Sequence, residues 1–467
     1  MSDQTPLRHT LEGLRDKPEQ LIEIILRQAA ALDELKQQID ELKKQIRDLN
    51  DRNNGLSSKV EALEKSAVRQ AGPFRIADKH RSANPKKPGR PKGHPGAHRS
   101  IPAQVDQEIV VGLEQCPQCG QALEQVRPVV QYIEELPVLR PQVIKLVTHE
   151  AHCPQCQQSV RSTHPLQVSL AQGAAGVQLG PRALGVAAEL NKKHGLPMRR
   201  TCAVLKQLFG LNLSAGGLSQ ALERLAQKLG ATYENLLARL RDGPYVHSDE
   251  TSWWVGGPGH WLWVFANQNS TVYRIAHGRG RNIVVENLGE DYAGVLISDC
   301  LSIYDDVNGR QQKCYSHHLK TISQALEQVP SAFLEQLRAM LKAAMALKGA
   351  HLSEQEQAQH RSALQSKAEQ LLGTPRQGLE EKVRLRLYKQ RDHLFTFLDH
   401  PHVEATNNLA ERQLRPAVIA RKLSCGNKTN RGAHTWEVLA SLAATCAQRK
   451  ESFANMISQA ALLSYPR

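Results

Sequence analysis

An unbroken seven-residue repeat of apolar side chains runs through residues 21–65, and it requires a long helix there. The first core position is mostly β-branched and the second is leucine, which favours a parallel two-stranded coiled coil. Asn53 at a first position fits, because one buried asparagine specifies register and dimer state. We therefore predict a coiled-coil dimerisation segment over residues 1–68; the alternative is a long helix packed on its own protein. The first positions are Ile25, Leu32, Ile39, Ile46, Asn53 and Val60, and the second are Leu35, Leu42, Leu49, Leu56 and Leu63.

The chain is long and basic. Its 467 residues suffice for about three domains by the usual prior, and its hydrophobic content of 40% allows a sizeable core. The net charge of +14 favours a polyanionic partner, either nucleic acid or an anionic membrane surface. No uninterrupted apolar run approaches the ~18 residues of a membrane span, and the N-terminus carries no signal-like segment. We predict a cytoplasmic, nucleoid-associated protein without a membrane partner.

Residues 69–100 have the composition of a linker. The segment 84–96 is rich in proline and glycine, and nine Lys or Arg between Arg69 and Arg99 face one acid, Asp78. The core Gly-Arg-Pro-Lys at 89–92 looks like a minor-groove binding element, since an extended Arg-Pro segment fits a narrow A·T groove. A solvated basic linker with general phosphate affinity is the alternative. The predicted DNA contacts here are Lys86, Lys87, Arg90 and Lys92.

Two Cys-Pro-Gln-Cys motifs predict a zinc-binding domain over residues 101–168. Cys116 and Cys119 form the first pair, and Cys153 and Cys156 form the second, 33 residues further on. A two-residue gap lets both thiolates reach one metal, and four thiolates make a closed tetrahedral site for one structural Zn²⁺. Structural free thiols, the alternative, explain neither the doubling nor the matching interiors. Alternating side chains over 128–147 predict short strands between the pairs, in a small β domain.

Residues 169–242 have helical periodicity. Breaks at Gly210 and Ser214 fit a helix-turn-helix-like DNA-binding unit, and a plain helical bundle between domains fits equally well.

From Gly243 the periodicity becomes that of short strands. Three strands, a helix over 280–290 and a further strand follow the order of an RNase H-like sheet. We predict an RNase H-like α/β catalytic domain over 243–432 with a helical insertion at about 318–400, then a C-terminal helical segment over 433–467. The whole chain is thus predicted to be a multidomain α+β protein. Strands are predicted at 245–248, 261–266, 271–275, 293–297 and, less regularly, 312–315.

Three acids far apart in sequence form a candidate metal site. Asp249 and Asp299 each end an apolar strand-like run, and Glu411 lies at a helix start in which Asn407 and Asn408 suit the turn and N-cap. The first and fourth strands of such a sheet are neighbours, so the two aspartates would lie side by side and the helix could bring Glu411 to them. A few carboxylates suffice for Mg²⁺ (or Mn²⁺), which can drive phosphoryl transfer on nucleic acid.

Other interpretations of these acids are open at this stage. A single aspartate at a strand end is usually a turn residue, and Glu411 beside Arg412 could be a surface ion pair of little energetic weight. Basic residues surround the third acid, where a DNA backbone would need neutralising. The predicted contacts are Arg412, Arg415, Arg421 and Lys422, and the competing acids are Glu250, Asp305, Asp306 and Glu404.

Two histidine-containing segments also leave alternatives open. Cys314-Tyr-Ser-His317-His318 is either half of a metal site or a strand end packed around a core cysteine, and the sequence shows no second half within easy reach. His247 alternates with Asp249 on its strand, so it either steers substrate or packs in the core.

At these residues the chain closely resembles transposases of the insertion-sequence-66 family. The shared stretches are His-Ser-Asp-Glu-Thr-Ser-Trp from residue 247, His-Trp-Leu-Trp-Val-Phe from 260, Gly-Val-Leu-Ile-Ser-Asp from 294 and Asn-Asn-Leu-Ala-Glu-Arg-Gln-Leu-Arg-Pro from 407. The resemblance extends from about residue 20 to the C-terminus and includes the heptads, the basic linker and the cysteine pairs. Two positions depart from the family pattern: Cys300-Leu301 follows the second aspartate where Gly-Tyr is usual, and Cys425 stands where glycine is common.

The resemblance implies a DDE-type transposase with Asp249, Asp299 and Glu411 as its catalytic acids. It further implies Mg²⁺ dependence, binding to double-stranded DNA at the element's inverted terminal repeats and at the target, and accessory proteins encoded by the same element. We predict a DNA transposase that cleaves and joins strands as a homodimer or larger assembly. The alternatives are a zinc-containing DNA-binding regulator with an impaired catalytic domain, and another RNase H-like nuclease such as a resolvase.

Overall fold

The computed structural model describes residues 17–70, 93, 95, 99–168, 176–350 and 353–462, which divide into two compact units after Ile133. The protein is mixed α+β, with a five-stranded sheet and many helices. Lys86, Lys87, Arg90 and Lys92, the predicted DNA contacts of the linker, lie outside the described residues. In the part of the chain that is described, no helix is both long and apolar enough to cross a membrane.

The first unit contains one long helix, α1 (Pro18–Gln70), over the segment where the heptad repeat requires it. Its apolar seam is exposed from Ile25 to Leu56, where the exposed fraction of the apolar side chains ranges from 49% at Ile39 to 62% at Leu49. The pairing of two chains through the seam stays a prediction.

The strands predicted over 128–147 are absent, and that prediction was wrong. Val138 and Val143 are 99% and 89% exposed, so the alternating side chains have no neighbouring strand and no core to pack against. An alternating pattern stabilises a strand only when one face of it is buried. A short antiparallel ribbon lies further along instead, formed by β1 (Glu150–His152) and β2 (Ser159–Arg161) around the second cysteine pair.

Helices precede the large sheet, as the periodicity predicts. Gly210 ends α3 in the left-handed conformation, with φ of 67°, which suits glycine. Ser214 begins α4, because its hydroxyl oxygen accepts a hydrogen bond from the Gly217 N–H at 3.0 Å. The elements are α2 (Pro181–Ala188), a π-helical turn (Glu189–Lys193), α3 (Met198–Phe209), α4 (Ala215–Lys228) and α5 (Gly230–Arg241).

The large sheet has the strand order β5-β4-β3-β6-β7. The pairs β3–β4 and β4–β5 are antiparallel, whereas β3–β6 and β6–β7 are parallel. The two strands that flank α6 in the sequence, β5 and β6, are thus not neighbours in the sheet. Instead, β6 lies beside β3. The elements are β3 (Tyr245–Trp253), β4 (His260–Ala266), β5 (Thr271–His277), α6 (Arg281–Leu288), β6 (Val295–Ser298) and β7 (Arg310–Lys313).

β3 is longer than predicted, so Asp249 lies inside a strand rather than at its end. Its parallel pairing with β6 stops at His247, opposite Ile297, while its antiparallel pairing with β4 continues to Trp253. Asp249 therefore lies two residues beyond the end of the pairing with β6, in the part of β3 that pairs with β4 alone. β7 also begins and ends two residues earlier than the predicted 312–315.

Helices fill the region predicted as an insertion, and other helices cover the two faces of the sheet. Buried side chains of β3 and β4 on one face pack with α4 and α5, and those on the other face pack with α12 and α13. The helices at 315–399 form a further core with Tyr245, Val295 and Ile297. The helices are α7 (Tyr315–Leu326), α8 (Ala332–Leu347), α9 (Glu354–Gly373), α10 (Gly378–Lys389), α11 (Thr396–Asp399), α12 (Asn408–Ser424), α13 (Asn430–Arg449) and α14 (Phe453–Leu462).

Candidate active site

Three elements bring Asp249, Asp299 and Glu411 to one side of the sheet. Side chains alternate along β3, so Asp249 shares the face of His247 and Trp253, where α12 packs. Asp299 follows β6 directly on the same face as Ile297. Glu411 lies in the first turn of α12. The charges of both Asp299 and Glu411 contribute to the raised pKa of Asp249, so both acids are close enough to interact with it.

Asn407 holds the helix of the third acid against the strand of the first. Its side-chain amide donates to the Ser248 carbonyl oxygen at 2.8 Å, and its Oδ1 lies 3.1 Å from His247 Nδ1. Because Oδ1 can only accept, His247 carries its proton on Nδ1. The Asn407 backbone N–H donates to Cys314 Sγ at 3.2 Å. We call these three hydrogen bonds the Asn407 clamp; they also resolve the choice for His247, which is buried and packed.

The charges of Asp299 and Glu411 act on Asp249 and on His317. Burial, then the charges of Glu250, Asp299 and Glu411, raise the pKa of Asp249 to about 7. Among the described residues, no Lys or Arg forms an ion pair with any of the three. One oxygen of each aspartate accepts a backbone N–H: Glu250 N–H bonds to Asp249 at 2.8 Å and Leu301 N–H to Asp299 at 3.0 Å. A cluster of hard oxygen donors with unbalanced negative charge suits Mg²⁺ or Mn²⁺.

Of the four competing acids, two pair with cationic side chains and two are exposed. Glu250 faces the opposite side of β3, where Arg279 donates to it at 2.6 Å and the Tyr304 hydroxyl at 2.6 Å. Asp305 pairs with the fully buried Lys313 at 3.0 Å. Asp306 and Glu404 are exposed. Glu250 and Asp305 thus have cationic partners, whereas Asp306 and Glu404 lie at the surface.

Cys314 and His317 lie beside the third acid. Cys314 Sγ, one ring nitrogen of His317 and one carboxylate oxygen of Glu411 are all within 4.8 Å of one another. The close approach of Cys314 raises the pKa of His317. Burial opposes ionisation of the Cys314 thiol, but hydrogen bonds from His317 and from the Asn407 N–H lower its pKa. The sequence could not reveal this grouping, because Glu411 is almost one hundred residues away in the chain.

Cys300, one of the two departures from the family pattern, is a partly buried thiol. Its sulfur lies 3.4 Å from His318 Nε2, and burial raises its pKa to about 12. Asp299 keeps its hydrogen bond to the Leu301 N–H with cysteine at this position. The substitution therefore leaves the orientation of the second acid intact.

The basic residues of α12 divide into two kinds. Arg412, Arg415 and Lys422 are exposed. Arg421 is half-buried and donates to Thr251 Oγ1 at 3.0 Å and to Ser252 Oγ at 2.8 Å, at the end of β3. Arg421 thus helps to fix α12 to the strand, and its contact with DNA stays a prediction along with those of the other three.

Cys425, the second departure, adopts a conformation that favours glycine. It ends α12 with φ of 60°, which costs an L-residue roughly 1–2 kcal/mol. Gly426 follows with φ of 103°, and a Cβ there would collide with the Trp254 carbonyl. The usual glycine at 425 therefore has a conformational reason.

We expect Cys425→Gly to raise the free energy of unfolding by about 0.5–1 kcal/mol, because relief of the left-handed strain exceeds the added chain entropy. The Cys425 side chain is exposed, so its removal costs little packing. Thermal unfolding would measure the gain. Cys425→Ala is the matched control and should show none, since alanine keeps the strain; equal gains in both variants would contradict this explanation.

Each cysteine pair has the same local geometry. In the first pair, Cys116 N–H donates to the Gln121 carbonyl and Gly120 N–H to the Cys116 carbonyl, both at 2.9 Å. In the second, Cys153 N–H donates to Gln158 and Gln157 N–H to Cys153, again at 2.9 Å. Gly120 and Gln157 both have positive φ. Backbone hydrogen bonds lower the pKa of Cys116 and of Cys153, as metal ligation requires. The assignment of one Zn²⁺ to all four thiolates stays a prediction.

Comparison with known proteins gives two matches. The model of a family described as transposase IS66 family matches residues 176–435, more than half of the chain. The uncharacterized protein y4qI of Sinorhizobium fredii is 26% identical over 290 residues, which cover 54% of this chain and 53% of that protein. The chain thus spans about half the length of this curated relative. The matched residues include Asp249, Asp299 and Glu411.

Proposed function

Because the chain belongs to the transposase IS66 family, we propose that it is a DDE-type DNA transposase whose acids are Asp249, Asp299 and Glu411. The observation that carries this proposal is that the charges of Asp299 and Glu411 act on Asp249, while no Lys or Arg of the described residues forms an ion pair with any of the three acids. The sheet order and the position of α12 support an RNase H-like catalytic domain. Domain limits of 101–168, 169–242 and 243–432 are proposed with it.

Mg²⁺ or Mn²⁺ held by the three acids would activate the attacking oxygen and stabilise the leaving oxygen of a phosphodiester. The chain itself orients the ligands. Backbone N–H groups of Glu250 and Leu301 each hold one oxygen of an aspartate. The Asn407 clamp sets the distance between α12 and β3, so that Glu411 approaches the aspartates.

DNA binding is proposed along the exposed side of α12. Arg412, Arg415 and Lys422 are exposed cations within three turns of Glu411. Each phosphate contact that they make should contribute about one unit to the salt dependence of binding. Arg415→Ala should therefore lower the slope of log K against log salt by about one, and an unchanged slope would exclude this contact. The proposed ligands are the element's terminal repeats and target DNA, with accessory proteins of the same element as further partners.

The open seam of α1 supports a homodimer. Aspartate at two second-position leucines, Leu35→Asp with Leu42→Asp, should convert the full-length protein to a smaller species in light scattering. The matched control is Ala30→Asp with Gln37→Asp, which adds the same charge on the outer face of the helix and should leave the mass unchanged. A wild-type mass of one chain would exclude the coiled-coil dimer.

Cleavage of terminal-repeat DNA tests the proposed function. The full-length protein with Mg²⁺ should nick the element ends to leave 3′-hydroxyl groups and then join them to a target. EDTA should abolish both products. Specific binding of the ends without cleavage would instead indicate a DNA-binding regulator, and cutting of branched DNA without end sequences would indicate a resolvase-like nuclease.

A further inference from the structure

We propose that Cys314, His317 and Glu411 form a second metal site, specific for a soft divalent cation such as Zn²⁺, beside the three acids. Cysteine sulfur and imidazole nitrogen are ligands that Zn²⁺ prefers, and a carboxylate commonly completes such sets. Three protein ligands with an open fourth position describe many zinc sites that exchange their fourth ligand. The sequence offers only the Cys-x-x-His half; α12 supplies the remaining ligand.

The distances favour this set. A tetrahedral Zn²⁺ keeps sulfur, nitrogen and oxygen ligands roughly 3.4–3.6 Å apart. The three ligand atoms are within 4.8 Å of one another, so they need to approach by about 1.4 Å at most. His317 and Glu411 are only half-buried, and rotation of their side chains suffices for that movement.

The local hydrogen bonding leaves the ligands available. The Asn407 N–H donates to Cys314 Sγ at 3.2 Å, which favours the thiolate that a metal requires. His317 Nδ1 is buried and has no hydrogen-bond partner within the described ranges. Cys314 begins α7, and its backbone N–H is fixed by the Ser298 carbonyl at 3.0 Å, so the sulfur is anchored on the strand side of the site.

Glu411 belongs to both sets of ligands. A Zn²⁺ bound to Cys314 and His317 would draw Glu411 away from Asp249 and Asp299. Zinc should then inhibit any reaction that needs all three acids. This inhibition rests on the proposed function, whereas zinc binding does not, so the two are measured separately.

Binding is tested by titrating the chelator-treated full-length protein with Zn²⁺ in a calorimeter. Cys314→Ser and His317→Ala should each bind one equivalent fewer than the wild type. Cys446→Ser, a buried cysteine on α13, is the matched control and should lose none. A paired Cys116→Ser and Cys119→Ser variant removes the zinc of the cysteine motifs and should leave the proposed site intact. Equal stoichiometry in the wild type, Cys314→Ser and His317→Ala would overturn the site.

Co²⁺ absorption and Zn²⁺ inhibition of cleavage test the site independently of calorimetry. Co²⁺ in place of Zn²⁺ should give a thiolate charge-transfer band in the paired Cys116→Ser and Cys119→Ser variant, and Cys314→Ser should reduce its intensity. His317 is half-buried, so His317→Ala carries the test if Cys314→Ser fails to fold. In cleavage assays at fixed Mg²⁺, half-inhibition of His317→Ala should require at least tenfold more Zn²⁺ than the wild type. If His317→Ala binds one equivalent of Zn²⁺ fewer but is inhibited at the same Zn²⁺ concentration as the wild type, the inhibition is overturned but the site is not.

Discussion

Replacing Asp249 or Asp299 by asparagine, or Glu411 by glutamine, should lower the rate of Mg²⁺-dependent strand cleavage at least about a thousandfold. Each substitution keeps the size of the side chain and removes one negative charge. A divalent ion held by three carboxylates loses a ligand in each case, and effects of residues that act as one unit are not additive. Double variants should therefore be little worse than single ones. Single-turnover cleavage of terminal-repeat DNA would measure the rates.

The controls are two acids that are close in sequence and exposed. Asp306→Asn removes one negative charge close in sequence to Asp299, and Glu404→Gln removes one close to Glu411. Neither carboxylate is one of the three proposed site acids. Both variants should cleave DNA at a rate within about twofold of the wild type, because salt screens the effect of exposed charges on the site. A single amide variant of the three acids that retains more than a tenth of the wild-type rate would contradict the assignment.

Loss of the Asn407 clamp should be the most destabilising single change near the site. Asn407→Leu keeps a similar volume but leaves the Ser248 carbonyl and the His247 Nδ1–H buried without their partner. Each unsatisfied buried group costs about 1–3 kcal/mol, so the free energy of unfolding should fall by roughly 3 kcal/mol. Urea unfolding would measure this change. Cleavage should fall as well, because α12 would no longer be held at its distance from β3.

Asn408 provides the matched control for this prediction. It is the same residue type at the next position, and it is exposed. Asn408→Ala should change the free energy of unfolding by less than about 0.5 kcal/mol, as surface substitutions usually do. Equal costs for Asn407→Leu and Asn408→Ala would show that the clamp contributes nothing specific.

Local patterns predicted the elements that local forces determine. The heptad repeat predicted α1, and the breaks at Gly210 and Ser214 predicted where helices end and begin. The order of strands and helix from Gly243 onwards predicted the arrangement in which β6 lies beside β3. Those signals are periodicity, capping and turn chemistry, which act over a few residues.

Other features depend on contacts between distant parts of the chain. The alternation over 128–147 resembles a strand, but its apolar side chains, such as Val138 and Val143, are exposed among the described residues, and the segment forms no strand. Asn407 suits an N-cap by residue type, yet its side chain makes no cap hydrogen bond and instead reaches Ser248, 159 residues away. The grouping of Cys314 and His317 with Glu411 has the same origin. Sequence spacing carries no information about such contacts until the sheet is formed.

We expect Mg²⁺ to stabilise the folded protein through Asp249, Asp299 and Glu411. Without metal, the raised pKa of Asp249, about 7, means that the folded protein keeps this proton where the unfolded chain has lost it. The free energy of unfolding should then fall by on the order of 2–4 kcal/mol as the pH rises from about 4 to about 7. Above about pH 7 this group should cause no further change. Asp249→Asn removes this cost, so its melting temperature at pH 8 without metal should exceed that of the wild type.

Thermal unfolding at pH 8 with increasing Mg²⁺ provides the decisive comparison. A ligand that binds only the folded state stabilises it by mass action. The wild-type melting temperature should rise with Mg²⁺ concentration, and the rise should be absent in Asp249→Asn, Asp299→Asn and Glu411→Gln. An equal rise in the wild type and in all three variants would show that these acids do not form the metal site.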